Sequence, residues 1–244
     1  MRRVGFVAAG AAVTGVAFHA LPLLSARARL RRRWAPALAG IGSPDHVAIT
    51  FDDGPDPAST PLFLEELDRL GLRATFFMLG VNAAAHPGLA AEVAAAGHEV
   101  AAHGHEHRSL MFRTPAMVRD DLLRGVHAVA TATGRGPQWF RPPFGTLSGP
   151  GLVAAQRLGL RTVLWSAWGK DWEADATPKS VLAELDRDLG PGVTVLLHDS
   201  DCASAPGSWR SALGALAPLA ERLDAAGLRA GPLAEHGLAE AAAA

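Results

Sequence analysis

Two neighbouring carboxylates, Asp52 and Asp53, lie in residues 50–56, where a short apolar run gives way to a Gly-Pro turn. Because side chains alternate along extended backbone, these two acids point in different directions. One of them can hold a metal ion while the other accepts a proton, and their spacing does not say which does which. For the pair alone, a turn with two solvated acids is the alternative interpretation.

Three imidazoles, those of His103, His105 and His107, follow within one five-residue stretch. Imidazole together with carboxylate is a ligand set that suits zinc or another first-row divalent ion. The ligands can be His103 and His107 with a distant aspartate, or His103 and His105 on one face of an extended segment. A zincin helix is disfavoured, because that motif needs Glu directly after the first histidine and position 104 is glycine. A solvated histidine cluster is the alternative.

Three further polar groups, Arg141, Asp171 and His198, lie far apart in the sequence. Arg141 precedes a rigid Pro-Pro turn and can hold a carboxylate in a fork, for which Asp171 is the candidate partner. His198 ends the most apolar run and can titrate near neutrality as a general acid, although a buried structural histidine is the commoner case. A metal that activates water, a carboxylate base and a histidine acid together make a hydrolytic set.

Short apolar runs alternate with longer amphipathic stretches from residue 45 onward, which is the pattern of repeated strand–helix units. Such units build parallel sheets, open or closed into a barrel, with the chemistry at the carboxyl ends of the strands. The polar groups named above follow expected strands, so we expect them to meet at one rim. Strands are expected at residues 47–51, 74–79, 98–102, 139–141, 161–165, 193–197 and 228–230, and helices at residues 61–70, 86–96, 114–133, 151–158, 177–189 and 209–225.

The composition limits the classes of protein to which the chain can belong. It has 244 residues, of which 49% are apolar, so disorder is excluded, and the length allows either one full α/β barrel or two small domains. A formal net charge of −1 gives no basis for nucleic-acid binding. With Cys202 as its single cysteine, the chain can form neither an intrachain disulfide nor a cysteine-based zinc site.

Taken together, the motifs resemble those of the polysaccharide deacetylases of the NodB-homology group, carbohydrate esterase family 4. The similarity runs from about Asp45 to Leu233, with five motifs in the family's order. It implies an α/β fold, a single distorted (β/α) barrel with about seven parallel strands, preceded in this chain by an apolar N-terminal helix. It also implies the removal of N-acetyl groups from an amino-sugar polymer or oligomer such as peptidoglycan or chitin.

The resemblance implies roles for the acids and histidines. Asp52 corresponds to the family's general base, and His198 to its general acid. Asp53, His103 and His107 correspond to the metal ligands. The implied cofactor is a divalent metal, expected to be Zn²⁺, with Co²⁺, Ni²⁺ and Mn²⁺ as alternatives.

The remaining motif residues correspond to supporting and substrate-binding groups. Arg141 and Asp171 are expected to pair with one another beside the catalytic groups. The backbone N–H of Phe144 is expected to stabilise the oxyanion. Trp172 is expected to wall the substrate groove, and Leu196 to line the pocket for the acetyl methyl group.

The histidine motif departs from the family pattern at one position. The family has Ser or Thr after the first histidine, whereas this chain has Gly104. That change removes a hydroxyl that supports the metal-binding loop. His105 is an additional imidazole that could compete with the ligands or add a contact.

The N-terminal region contains an apolar run at residues 4–24, which follows Arg2 and Arg3 and is long enough to cross a bilayer. It predicts either a signal peptide or anchor that exports the rest, or a peripheral apolar helix on a protein that stays inside. Five arginines in residues 27–33 favour a cytoplasmic flank and can bind anionic lipid head groups. Because the implied substrate is extracytoplasmic, we expect export or membrane anchoring at the cell envelope, with a cytoplasmic location as the alternative.

Three regions are therefore expected. Residues 1–42 form the apolar segment and an Arg-rich linker, residues 43–235 form the deacetylase domain, and residues 236–244 form a frayed, Ala-rich tail. The expected partner is a polysaccharide or oligosaccharide, with membrane association through residues 4–24 and no nucleic acid. The protein is expected to be a monomer.

Two other functions fit the same sequence. A hydrolase of another non-peptide amide or of an O-acetyl ester can use the same scaffold, because a fold does not decide a substrate. A non-catalytic saccharide-binding module is the second, although a binder has no need of a base and an acid.

Overall fold

A parallel β-sheet forms the centre of the molecule in a computed structural model that describes residues 28–238. Its strands follow the order β5-β4-β3-β2-β1-β7-β6, and β8 pairs with the first half of β1. Every pairing is parallel. The strands are β1 His46–Asp52, β2 Thr75–Met78, β3 Glu99–Ala102, β4 Trp139–Phe140, β5 Arg161–Thr162, β6 Ala167–Trp168, β7 Thr194–His198 and β8 Arg229–Gly231.

Helices connect the strands. Their ends follow the local sequence. The longest helix among the described residues begins after Thr114, whose hydroxyl accepts a hydrogen bond from Met117 N at 3.3 Å, and stops at Gly134 with φ 67°. The α-helices are α1 Ala28–Trp34, α2 Thr60–Arg69, α3 Gly80–Ala85, α4 Pro87–Ala95, α5 Pro115–Thr133, α6 Gly149–Arg157, α7 Pro178–Leu185 and α8 Trp209–Ala225. Short 3₁₀ turns lie at Leu110–Phe112, Pro143–Gly145 and Leu233–Glu235.

The innermost strands are buried along their whole length. Each residue of β1 is buried, as are the first four of β7, because helices cover parallel strands on one face and the barrel interior covers them on the other. The register of these two strands sets Asp52 beside His198. The expected α/β barrel is therefore confirmed, and the strand ends bring distant polar residues together.

The barrel is distorted where the expected strand at residues 161–165 is split. Its first two residues form β5, and pairing resumes beyond it as β6, a strand that the sequence did not predict. These two strands lie at opposite ends of the strand order. Between them Leu164 N donates to Leu38 O at 2.8 Å, and Ser166 N donates to Thr194 O at 3.0 Å. The chain thus crosses from one edge of the sheet to the other, and one continuous strand was the wrong prediction here.

Segments at both ends of the described chain pack against the barrel. Arg31, buried on α1, donates to Trp165 O at 2.7 Å, and Gly40 O accepts from Thr194 Oγ1 at 2.7 Å. Near the other end, His236 and Leu238 are buried. We therefore propose that the folded domain reaches at least from residue 28 to residue 238, which is wider than the expected 43–235.

The apolar run at residues 4–24 lies outside the described residues, as does most of the expected Ala-rich tail. Among residues 28–238, no helix is both long and apolar enough to cross a membrane.

A buried histidine pair joins the start of the barrel to its end. His46 on β1 and His236 approach through their Nδ1 atoms at 2.9 Å. His236 Nε2 lies 3.2 Å from Gly40 O and donates to it, so its Nδ1 accepts from the Nδ1–H of His46. This arrangement requires a neutral His236, and burial, reinforced by the nearby His46, lowers the pKa of His236 to about 4.

Acidification is expected to destabilise the fold through this pair. Between the ordinary histidine pKa and about 4, the unfolded chain binds the proton that folded His236 excludes, so the free energy of unfolding falls as the pH falls. Lowering the pH from about 7 to about 5 should cost about 1–2 kcal/mol at this group. The side chain of His236→Asn keeps an acceptor for His46 but does not titrate. In urea unfolding, the free energy of unfolding of this variant should therefore fall less between these two pH values than that of the parent protein. An equal loss in both proteins would contradict this interpretation.

Candidate active site

The carboxyl ends of β1, β3, β4 and β7 surround one cavity of about 250 Å³. Asp52 and Asp53 come from the end of β1, His103 follows β3, and His198 ends β7. The structure thus brings together most of the residues that the sequence singled out, while Arg141 and Asp171 lie buried behind them. The cavity is lined by Asp52, Asp53, His103, His107, Phe144, Gly145, Trp165, Trp168, Trp172, Leu196, His198, Ala203 and Ser204.

Asp53, His103 and His107 converge through one atom each. Oδ1 of Asp53 lies 3.3 Å from Nε2 of His103 and 3.3 Å from Nε2 of His107. Within the described part of the chain, this is the one group of three or more such side chains with the spacing of a metal site. Asp53 reaches this position from a backbone with φ 81°, which non-glycine residues rarely adopt.

The hydrogen bonding around His103 favours a cation between these groups. Nδ1 of His103 lies 2.8 Å from the carbonyl oxygen of Arg141 and donates to it, so Nε2 presents its lone pair to Asp53. Oδ1 of Asp53 is buried and has no hydrogen-bond partner among the described residues. Lone pairs that face one another in this way repel unless a positive ion lies between them. This set of ligand atoms therefore fits a divalent metal.

The pKa shifts show how strongly these carboxylates and imidazoles interact. Burial alone would raise the pKa of Asp53, but the close approach of His103 and the charge of His198 lower it to about 2. Burial lowers the pKa of His103, and the carboxylates of Asp52 and Asp53 more than offset this, so its pKa is raised. Burial lowers the pKa of His107, which favours the neutral imidazole that can ligate a metal.

Asp52 is held apart from this cluster by Arg141. Nη1 of Arg141 donates to Asp52 Oδ1 at 2.6 Å and to Thr50 Oγ1 at 2.8 Å, and Nη2 donates to Leu164 O at 2.9 Å. The guanidinium is fully buried and lies 4.0 Å above the ring of Phe77. The expected pairing of Arg141 with Asp171 is therefore wrong, because the arginine is already committed to Asp52 at the end of β1.

Asp171 pairs instead with His198. Its Oδ1 accepts from His198 Nδ1 at 3.0 Å, and its Oδ2 accepts from the backbone N–H of His198 at 2.7 Å. Burial alone would lower the pKa of His198, but the charge and hydrogen bond of Asp171 raise it to about 10. The imidazole is therefore held protonated at neutral pH, and Nε2 is the nitrogen available to the cavity.

Phe144 and Leu196 both line the cavity. Phe144 has φ 58° and a side chain that is 60% exposed, and it packs edge-on against the ring of His107 at 4.2 Å. An exposed aromatic residue on strained backbone is unusual where folding alone decides the sequence. Leu196, buried in β7, contributes an apolar surface to the cavity.

Two tryptophans that the sequence analysis missed extend the wall at Trp172. The ring of Trp168 stacks on that of Trp172 at 4.3 Å with an interplanar angle of 20°, and it lies 5.3 Å from the ring of Trp165. A signal was available, because three of the six tryptophans of the chain lie in residues 165–172. Their common position depends on the split strand, which the sequence pattern did not reveal.

Asp199 is a further buried acid to which the sequence analysis gave no role. It accepts hydrogen bonds from Gly54 N at 3.2 Å and Thr60 Oγ1 at 2.6 Å, and so fixes the turn that follows Asp53. Burial raises the pKa of Asp199 to about 7. Apart from its position next to His198, nothing in the sequence marked it.

His105 lies apart from the three converging atoms. Its Nε2 accepts from Nη2 of Arg124 at 2.7 Å, on the side of the loop that faces α5. The extra imidazole therefore belongs to the packing between the histidine loop and α5, and not to the group around Asp53.

An α/β barrel with acid, base and metal-ligand types of side chain around one cavity has the makeup of a hydrolase. Residues 39–163 match the family model described as polysaccharide deacetylase. The chain belongs to this family, and with it to the hydrolases that act on carbon–nitrogen bonds other than peptide bonds.

Two relatives and one solved structure illustrate the similarity. The chitooligosaccharide deacetylase of Bradyrhizobium sp. strain ANU 289 is 38% identical over 68% of this chain and 74% of its own length. The peptidoglycan-N-acetylglucosamine deacetylase PgdA of Listeria monocytogenes is 35% identical over 63% of this chain, but the match spans only 32% of that longer protein. The crystal structure of BA3943, a CE4 family pseudoenzyme from Bacillus anthracis, superposes with a TM-score of 0.72 at 25% identity, covering 80% of this chain and 66% of that one. Since the fold also occurs in a pseudoenzyme, the residues around the cavity, and not the fold, determine whether such a protein is active.

The geometry predicts which imidazoles a metal needs. His105→Ala should leave the metal content of the purified protein unchanged, because its side chain contacts Arg124 and not Asp53. His103→Ala removes one of three converging donors and should abolish stable binding. Metal content measured by mass spectrometry on both variants checks this. Loss of metal in His105→Ala, with His103→Ala still loaded, would show that other imidazoles are the ligands.

Proposed function

We propose that this protein is a metal-dependent hydrolase that removes N-acetyl groups from an amino-sugar polymer or oligomer. The observation that carries the proposal is the separation of three groups around one cavity. Asp53 faces His103 and His107, Asp52 is paired with Arg141, and His198 is paired with Asp171. A catalytically silent saccharide-binding module would have no use for this division.

A divalent cation is proposed at Asp53, His103 and His107. The support is the buried Asp53 Oδ1, which has no hydrogen-bond partner among the described residues and faces two imidazole nitrogens at 3.3 Å. Two imidazoles and one carboxylate suit Zn²⁺, with Co²⁺, Ni²⁺ and Mn²⁺ as alternatives. When bound, such an ion lowers the pKa of a water molecule and polarises the acetyl carbonyl.

Asp52 is proposed as the general base that accepts a proton from the attacking water. Its Oδ1 is held by Arg141 at 2.6 Å, which leaves Oδ2 as the oxygen able to take the proton. Oδ2 lies 3.8 Å from His103 Nε2, so it is beside the proposed cation without being one of the converging atoms. The buried Arg141 fixes the orientation of this carboxylate before the substrate arrives.

His198 is proposed as the general acid that protonates the departing amine. Asp171 fixes the ring through Nδ1 and raises the pKa of the imidazole to about 10, so the proton is held at neutral pH. Transfer becomes favourable as negative charge passes onto the amide nitrogen, because the amine that forms is itself a base. The backbone N–H of Phe144 is proposed to stabilise the developing oxyanion.

The aromatic wall is proposed to bind the sugar. Trp172, Trp168 and Trp165 form a run of adjacent indole rings that line the cavity, and Phe144 lines it as well. Flat apolar rings with few polar groups suit the C–H faces of a pyranose, and Leu196 offers an apolar contact for the acetyl methyl group. Relatives named for chitooligosaccharide and for peptidoglycan support an amino-sugar substrate at the cell envelope.

An assay of acetate release tests the proposal directly. Purified protein is given chitin, peptidoglycan and acetylxylan oligomers, with and without a chelator, and with metal restored after chelation. The proposal predicts acetate and a free amine from an amino-sugar oligomer, loss of activity with the chelator, and recovery with Zn²⁺ or Co²⁺. Acetate from acetylxylan alone would indicate an ester hydrolase, and no release from any polymer after metal loading would contradict the proposed function.

Substitution of the two neighbouring acids should separate base from ligand. Asp52→Asn should keep its metal and lose turnover by about 10²-fold or more, since a positioned general base contributes that much. Asp53→Asn should lose metal affinity instead, because Oδ1 is the atom that faces both imidazoles. Metal content and kcat measured on both proteins check this, and an active Asp52→Asn variant would refute the assignment of the base.

Removal of the stacked indole should weaken substrate binding more than chemistry. Trp168→Ala is expected to raise KM for a chitooligosaccharide by about two- to ten-fold with a smaller change in kcat, since an aromatic contact contributes about 0.5–1.5 kcal/mol. Trp34→Ala is the matched control, because that tryptophan is exposed and does not line the cavity. Steady-state kinetics decide, and equal KM values for both variants would exclude a binding role for Trp168.

A further inference from the structure

The loop that carries His103 and His107 has no side chain of its own to support it at position 104. Gly104 adopts φ 85°, the left-handed region that favours glycine. Its peptide is nevertheless well held, because Gly80 N donates to Gly104 O at 3.0 Å and Val81 N donates to His105 O at 3.0 Å. These bonds fix the carbonyl side of the loop, and its N–H groups need partners elsewhere.

Asp121 on α5 supplies those partners. Its carboxylate is 3% exposed, and it accepts from His105 N at 3.0 Å through Oδ2 and from Glu106 N at 3.4 Å through Oδ1. Arg113 donates to the same Oδ1 at 2.7 Å and compensates the buried charge. The two N–H groups belong to the residues between His103 and His107, so Asp121 holds the middle of the metal-binding loop.

Two glycines allow α5 to approach the loop closely enough for this contact. A β-carbon at position 125 of α5 would collide with the carbonyl oxygen of Gly104. A β-carbon at position 104 would lie 2.9 Å from Oδ2 of Asp121, closer than normal packing allows. Gly104, Gly125 and Asp121 therefore form one complementary arrangement, in which a side chain on the loop would displace the carboxylate.

We propose that Asp121 is a positioning residue for the metal ligands: by binding the N–H groups of His105 and Glu106, it fixes the spacing of His103 and His107 around the ion. This inference rests on the proposed metal site. Asp121 is not itself a ligand, since it lies outside the group formed by Asp53 and the two histidines. Like residues that orient metal ligands in other proteins, Asp121 affects the ion indirectly, by fixing the positions of its ligands.

Zinc affinity of the full chain tests the proposal, measured by competition with a chromophoric chelator near neutral pH. Asp121→Ala should weaken the affinity by about 10- to 100-fold, the usual cost of losing such a support. Asp121→Asn retains one carbonyl acceptor and should fall between Asp121→Ala and the parent protein. Asp120→Asn removes an exposed acid from the neighbouring position of α5 and should bind zinc as the parent does.

Two further readouts separate positioning from a general loss of folding. The variants should remain folded without metal, as judged by circular dichroism and thermal unfolding, and saturating Zn²⁺ should restore much of the kcat of Asp121→Ala. A loss caused by unfolding would instead appear in the metal-free protein, as a weaker circular dichroism signal or a lower unfolding temperature. Gly104→Ser keeps the residue Asp121 but adds a side chain that pushes against its carboxylate, so it should also lower zinc affinity.

The outcomes are distinct. A folded Asp121→Ala protein with the zinc affinity of Asp120→Asn would overturn the proposal, while the metal site itself would stand. If both Asp121 variants fail to fold, the zinc affinity of Gly104→Ser is the test. Zinc binding as tight as in the parent protein, or tighter, would then overturn the proposal. A parent protein that binds no divalent ion would overturn both the proposed function and this inference.

Discussion

The rest of the site depends on one buried residue, Arg141. Its guanidinium is fully enclosed and holds Asp52 at 2.6 Å, while its own carbonyl accepts the Nδ1–H of His103 at 2.8 Å. The side chain therefore keeps one carboxylate apart, and the backbone selects the tautomer of an imidazole a few ångströms away. A buried charge is costly without a partner, so the arginine is stable here only because Asp52, Thr50 and Leu164 surround it with acceptors.

A second ion pair completes the separation of roles. Asp171 binds His198 twice, through its ring and its backbone, and keeps that imidazole charged. With Asp52 and Asp171 each committed to a cation, Asp53 is the carboxylate left facing His103 and His107. Like charges that share a small buried space repel one another, and this pairing lets three carboxylates lie around one cavity.

The sequence predicted the parts of this arrangement that are local, and it failed where long-range packing decides. The rim position of Asp52, His103 and His198 followed from strand ends, since register in a parallel barrel brings such ends together. The pairing of Arg141 with Asp171 was wrong, because sequence order does not reveal which of two nearby carboxylates a guanidinium reaches. The split strand near Trp165 and the support from Asp121 depend on contacts across the barrel edge and between a helix and a loop, which no local pattern encodes. The roles assigned to the site residues stay predictions.

We propose that the two neighbouring acids have different roles: Asp53 binds the metal, and Asp52 accepts the proton. The most direct test is a crystal structure of the zinc-loaded protein with anomalous diffraction recorded at the zinc edge. We expect one strong peak bonded to the Asp53 carboxylate and to Nε2 of His103 and His107, with Asp52 still held by Arg141. A zinc ion bonded to Asp52, or bound through His105 in place of either expected histidine, would contradict it.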